Sequence, residues 1–240
     1  MFYIFVIGCL LGLRHALDAD HIAAVASLIT RSNSKSETVR TSIAWGLGHT
    51  VTLFLVCAVV LVMDIGFPDR VAHVAEFLVG LMLIALGADV VRRALRKKVH
   101  LHGHSHDKDG YHLHLHSHAA TKAHDAATHS HSHPKGLPAR ALMIGLMHGL
   151  AGSAALLLLA VTQQGDMLTA LIYIALFGAG STLGMVLLSL TIALPIRASA
   201  RLSKFGFNGF NTAIGVGTVA LGIFVVFETA PSLAGMLTNG

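Results

Sequence analysis

Apolar residues fall in six long blocks, 2–29, 41–63, 72–91, 140–161, 167–195 and 207–227, separated by polar or glycine-containing breaks. Each block is at least 20 residues long and apolar around its whole circumference, with neither the alternation of a strand nor a single amphipathic stripe. At 1.5 Å per residue, about 20 residues cross a ~30 Å hydrocarbon core. In that environment backbone groups must be satisfied within the segment, which favours helices. The pattern therefore predicts an all-α, polytopic integral membrane protein with six transmembrane helices. Composition agrees: 54% of residues are apolar and 12% charged, about half the ~25% usual in soluble domains. Arg14, Asp18 and Asp20 interrupt the first block and no basic segment precedes it, so it is not expected to be a cleaved signal peptide.

The net charge of +5 carries information about orientation. Fifteen of the 17 Lys and Arg residues lie in three loops, after the first, third and fifth blocks, against Arg70 on the opposite side. The positive-inside bias makes those loops cytoplasmic and puts both termini on the outer side of a multi-pass plasma-membrane (inner-membrane) protein. The lipid bilayer is thus one partner, and no nucleic-acid partner is expected from this charge. Cys9 and Cys57 both sit in apolar blocks, which indicates neither a disulfide framework nor a thiolate metal site.

The chain also resembles itself. Gly12-Leu13-Arg14-His15-Ala16-Leu17 matches Gly145-Leu146-Met147-His148-Gly149-Leu150 at an offset of 133. Gly46-Leu47-Gly48-His49-Thr50 matches Gly178-Ala179-Gly180-Ser181-Thr182 at 132, and Gly80 with Ala85-Leu86-Gly87 matches Gly215 with Ala220-Leu221-Gly222 at 135. Three spans per half is an odd number, so the halves must be inverted, an arrangement transporters use to build a midplane site. The expected organisation is a first three-helix repeat over 1–91, a His-rich loop over 92–139 and a second repeat over 140–240.

Candidate chemistry concentrates in Arg14-His15-Ala16-Leu17-Asp18-Ala19-Asp20-His21. A charge at mid-span costs about 2.5–3.5 kcal/mol, so Arg14, Asp18 and Asp20 together cost on the order of 8–10 kcal/mol before pairing. Arg14 and Asp18, four residues apart, are expected to neutralise each other. Asp18 counts among the metal candidates with His15, Asp20 and His21, which a regular helix cannot converge; either the helix breaks or Asp20 faces a neighbouring span. His21, His49 and His148 lie eight or nine residues from the cytoplasmic ends of their spans, about 12–14 Å of helix. Equal depth makes His49 and His148 candidates for the same site. Gly46, Gly48 and Thr50 are expected to support it by letting helices approach. Imidazole with carboxylate and no thiolate suits Ni²⁺, Co²⁺ or Zn²⁺.

The loop carries His100, His102, His104, His106, His112, His114, His116, His118, His124, His129, His131 and His133, largely in alternation. Its polar composition predicts a segment without fixed structure, and such tracts bind metal by composition.

The motif His15-Ala16-Leu17-Asp18-Ala19-Asp20-His21 resembles the HX4DH signature of the nickel/cobalt transporter family, and Gly48-His49-Thr50 is similar to that family's second motif. The likeness is greatest to a shorter, six-span urease-accessory and nickel-cobalt-exporter-like branch. It implies that His15, Asp20 and His21 bind the metal with His49 contributing, that Ni²⁺ or Co²⁺ is transported cargo with no prosthetic group, and that cytoplasmic nickel-enzyme maturation proteins are partners. A later Asp/Thr/Glu motif of eight-span members is replaced here by Leu146-Met147-His148-Gly149. The leading expectation is a secondary transporter working inward, not an enzyme. Efflux of Ni²⁺, Co²⁺ or Zn²⁺ fits the same residues. An intramembrane metalloenzyme would need HExxH or a related constellation, absent from the spans, and a bis-His haem carrier would show a Soret band.

Overall fold

A computed structural model describes residues 2–32, 34–63, 69–95, 99–106, 110–117, 138–150, 167–202 and 204–238. Among these residues the chain forms α1 (Phe2–His15), α2 (Ala19–Ile29), α3 (Lys35–Met63), α4 (Asp69–Leu95), strands β1 (Val99–His106) and β2 (Gly110–Ser117), α5 (Ala139–His148), α6 (Met167–Leu202) and α7 (Lys204–Thr238). Helices α3, α4, α6 and α7 are each long and apolar enough to cross a membrane, while α1 and α2 are shorter apolar helices. The protein is a helical, multi-pass membrane protein. Residues 151–161 of the fourth predicted span and His118, His124, His129, His131 and His133 lie outside the described residues.

The first predicted span is not one helix. It stops at His15, turns through Ala16–Asp18 and restarts at Ala19. Shorter bonds keep the backbone satisfied through the break: the Leu17 N–H donates to the Arg14 carbonyl (2.9 Å) and the Asp18 N–H to the His15 carbonyl (3.0 Å). Asp18 adopts an extended conformation, and its carbonyl accepts the Ile22 N–H (2.9 Å) to begin α2. In the second half α5 likewise ends at its histidine, His148, followed by a turn at Gly149 and Leu150. Helix α3 opens with the Ser34 hydroxyl accepting the Glu37 N–H (3.1 Å).

Glycine contacts between the halves are reciprocal. A Cβ on Gly12 would overlap the Phe177 carbonyl, and one on Gly145 the Trp45 carbonyl; one on Gly180 would overlap the Cys9 carbonyl, and one on Gly48 the Leu142 carbonyl. A Cβ on Gly46 would lie 2.7 Å from the Thr182 methyl and one on Gly178 2.9 Å from the Thr50 hydroxyl. Across α4 and α7 the pairs are Gly80 with Gly222 and Gly87 with Gly215. These contacts run α1 parallel to α6 and α3 parallel to α5, and set α3 against α6 and α4 against α7 antiparallel.

Polar side chains turn inward, as expected where lipid is the solvent. The buried hydroxyls of Ser27 and Thr218 are 3.0 Å apart and those of Ser42 and Ser189 2.5 Å apart. The Thr52 hydroxyl donates to the Leu146 carbonyl (3.0 Å). Leu55, Val59, Leu183, Leu194 and Phe227 are exposed on the outer faces.

The loop departs from expectation. Where its composition predicts no fixed structure, β1 and β2 pair antiparallel, His100 opposite His116, His102 opposite His114 and His104 opposite His112. Alternating His-X-His-X is a period-two pattern, the periodicity of a strand.

Candidate metal centre

The break after His15 is what assembles the site. With α1 ended, His15 and the start of α2 fold toward each other, and the His15 and His21 ring centroids lie 4.3 Å apart. His49, from the middle of α3, sits 5.4 Å from His15 and 5.1 Å from His21. His148, at the end of α5, sits 4.2 Å from His21 and 5.9 Å from His49. His21, His49 and His148 are each at most 1% exposed. Ligand atoms of His15, His21 and His49 lie within 4.8 Å of one another, and so do those of Asp20, His21 and His148. Two three-residue groups thus share His21, drawing on four helices and both halves.

Two carboxylates orient the rings. Asp18 Oδ2 accepts from His15 Nδ1 at 2.7 Å. Asp20 Oδ1 accepts both the His21 backbone N–H (2.9 Å) and His21 Nδ1 (3.0 Å), while its Oδ2 accepts from His148 Nε2 (3.0 Å). A carboxylate can only accept, so each bonded ring nitrogen carries the proton and the other keeps its lone pair. The nitrogens so left, His15 Nε2, His21 Nε2 and His148 Nδ1, are buried with no partner among the described residues, as are both nitrogens of His49. Buried polar atoms are normally satisfied. A cluster of buried imidazoles, each keeping a ring lone pair in its neutral form, is chemically suited to a cation, with carboxylates in the supporting role usual around metal-binding histidines.

Of the sequence candidates, His15, Asp20, His21, His49 and His148 converge. Asp18 belongs to neither group; it is 56% exposed and holds His15. The expected Arg14–Asp18 pair is not formed, because the helix break removes the i, i+4 relation and Asp18 bonds His15 instead. Arg14 lines a neighbouring cavity. Gly46, Gly48 and Thr50 act in packing: the Thr50 hydroxyl donates to the Gly178 carbonyl at 3.1 Å.

Several neighbours were not read from the sequence. A cavity of about 960 Å³ reaches His15, Asp20, His21 and His148 and is also lined by Asp18, His73, Glu76 and Glu228. His73 Nδ1 and Glu76 Oε2 are 3.7 Å apart. Carboxylates within or beside an apolar block were the available signal. Trp45, fully buried, lies 5.4 Å from the His21 ring and 5.5 Å from the His148 ring, and Phe177 lies 5.4 Å from the His15 ring.

Residues 1–233 match the model of the NicO family, described as high-affinity nickel-transport protein. The chain is 33% identical over 226 residues to the urease accessory protein UreH of Bacillus sp. (strain TB-90), covering 94% of this chain and 91% of that protein. No solved structure matches it.

Proposed function

Because the chain belongs to the NicO family of high-affinity nickel-transport proteins, we propose that it carries Ni²⁺ across the membrane through the histidine cluster, with Co²⁺ as a second cargo that the same donors accept. His15, His21 and His49 offer one set of three nitrogen donors, and His21 is shared with an adjoining group completed by His148 and the Asp20 carboxylate. The carrying observation is the set of buried imidazole nitrogens with no partner among the described residues, on rings of which Asp18 and Asp20 fix the tautomers of His15, His21 and His148. Mixed imidazole and carboxylate donors suit Ni²⁺ and Co²⁺, and Irving–Williams order alone would favour Cu²⁺, so geometry and availability select the cargo.

The reading includes six spans in two inverted three-helix repeats, 1–91 and 140–240. Reciprocal glycine contacts at offsets of 132–135 support it, as does the matching end of α1 and α5 at His15 and His148. An odd number of spans per repeat also accounts for α4 and α7 running antiparallel. Orientation follows loop charge, with the His-rich segment cytoplasmic, where its histidines buffer cargo, and both termini outside. Import is favoured by similarity to a relative named as a urease accessory protein, since an accessory to an enzyme serves it by supplying metal. Nickel-enzyme maturation proteins are then the receiving partners.

Radiolabelled nickel accumulation in cells with and without the protein tests this. Expression should raise cell-associated nickel, and His21→Ala or His49→Ala should abolish the increase at near-normal protein levels. A fall in accumulation would reverse the direction; wild-type transport by both variants would remove the cluster from the pathway.

A further inference from the structure

Arginines from α4, from α5 and from the turn after α2 converge on one carboxylate outside the histidine cluster. Asp89, near the end of α4, has its Oδ2 bonded by Arg31, just beyond α2. Arg93 Nε lies 3.3 Å and Arg140 Nη2 3.5 Å from the same oxygen, and Arg92 Nη2 lies 3.4 Å from Oδ1. Among the described residues every ion pair of these four arginines ends on Asp89; Arg93 also donates to the Asp89 carbonyl (3.2 Å) and to the Thr30 hydroxyl (3.1 Å). Arg31 stands ten residues beyond His21, about 15 Å of helix rise.

The charge does not balance. Four guanidinium groups share one carboxylate, leaving three positive charges within a few ångströms of one another. The carboxylate side chain is 15% exposed, whereas the arginines are 31–62% exposed, so the anion lies beneath and the cations face outward. Each guanidinium has five N–H donors in a planar fork, and most have no acceptor within the described residues. A further anion would relieve the repulsion among these like charges beyond what water and salt screen. The cluster sits where the apolar run of α4 ends, the end of a membrane-spanning helix that meets the headgroup region. All four cations are arginine, the side chain whose fork matches phosphate oxygens bidentately.

We propose that Arg31, Arg92, Arg93 and Arg140 bind the phosphate oxyanion of an anionic phospholipid headgroup, with Asp89 as the strut that holds the guanidiniums together. Basic pockets between membrane helices recognise such headgroups by this chemistry. The site does not depend on which metal the protein carries or in which direction.

The test uses the full chain in detergent, measuring thermal unfolding and lipid retention by native mass spectrometry. Phosphatidylglycerol, phosphatidylcholine or inorganic phosphate is added in turn. Phosphatidylglycerol should raise the unfolding temperature by several degrees and phosphatidylcholine should not. Arg140→Gln and the milder Arg92→Gln should lose most of that rise and one retained lipid. Without lipid their unfolding temperature should be unchanged or higher, because Asp89 keeps three partners and repulsion is relieved. Arg197→Gln, removing a cation elsewhere, should respond like the wild type. Equal lipid responses in all variants, or arginine variants that are destabilised without lipid yet keep their full lipid response, would reduce the cluster to a clamp and overturn the proposal. Inorganic phosphate producing the same rise and displacing the lipid would identify a soluble anion as occupant, also overturning it. Deleting residues 100–133 removes Asp107, Asp109 and Asp125; an unchanged lipid response supports the proposal, while a response that appears only after deletion shows that the chain fills the site itself and overturns it.

Discussion

Asp18 and Asp20 are two residues apart and do different work. Asp18 holds one ring from the more exposed side of the turn, whereas Asp20 couples His21 of the first half to His148 of the second. Asp20→Asn turns one of two acceptor oxygens into a donor, so one imidazole must change tautomer or lose its bond. Nickel affinity measured by calorimetry should fall about 10–100-fold, the range for partners that orient metal-binding histidines. Asp18→Asn should weaken binding by the lower part of that range and leave expression near normal, since its loss strands no buried arginine. Poor folding of this variant would instead favour the Arg14–Asp18 pair that spacing suggests. The sequence left two ways open for His15, Asp20 and His21, which cannot converge on a regular helix: a break, or Asp20 facing a neighbouring span; the structure has the break. The sequence did not reveal that breaking the helix would also dissolve the i, i+4 pair, since that rule presumes continuous helix.

At the scale of elements, close helix contact rests on glycines whose missing side chains face another backbone. Gly48→Ala and Gly145→Ala each drive a methyl into a carbonyl of the facing helix. Such overpacking costs about 1–3 kcal/mol, so both should unfold at lower temperature and, by spreading α3 from α5, weaken metal binding. Gly209→Ala and Gly217→Ala, where nothing among the described residues lies within 4 Å of an added Cβ, should be neutral or stabilising by about 0.5–1 kcal/mol through reduced backbone entropy. Equal losses at all four positions would show that glycine matters here for flexibility and not for contact. The matched glycine motifs were readable in the sequence because close approach demands that residue type. Helix ends were less so: α6 and α7 run past the apolar blocks, to Leu202 and Thr238, since helical backbone bonding continues where hydropathy stops. The hairpin at 99–117 was hidden behind composition, although its alternation was in view.

For the whole molecule, the topology expectation rests on loop charge and is checked by thiol labelling with Cys9 and Cys57 replaced. A cysteine at position 117 should resist impermeant reagents in intact cells and one at 232 should react; the opposite pattern would invert the protein. Deleting residues 100–133 should leave transport largely intact while lowering the amount of metal retained, and complete loss in a well-expressed deletion would make the His-rich segment part of the route. A different consequence follows from Trp45. It is the one tryptophan in the chain, and its ring lies within 5.5 Å of two of the clustered imidazoles. The protein's entire indole emission therefore originates beside the proposed cargo. A bound paramagnetic ion at that distance should darken it, so titrating Ni²⁺ against the native chain should read occupancy optically, without label or substitution. Emission indifferent to nickel that calorimetry shows to be bound would mean that the ion rests elsewhere.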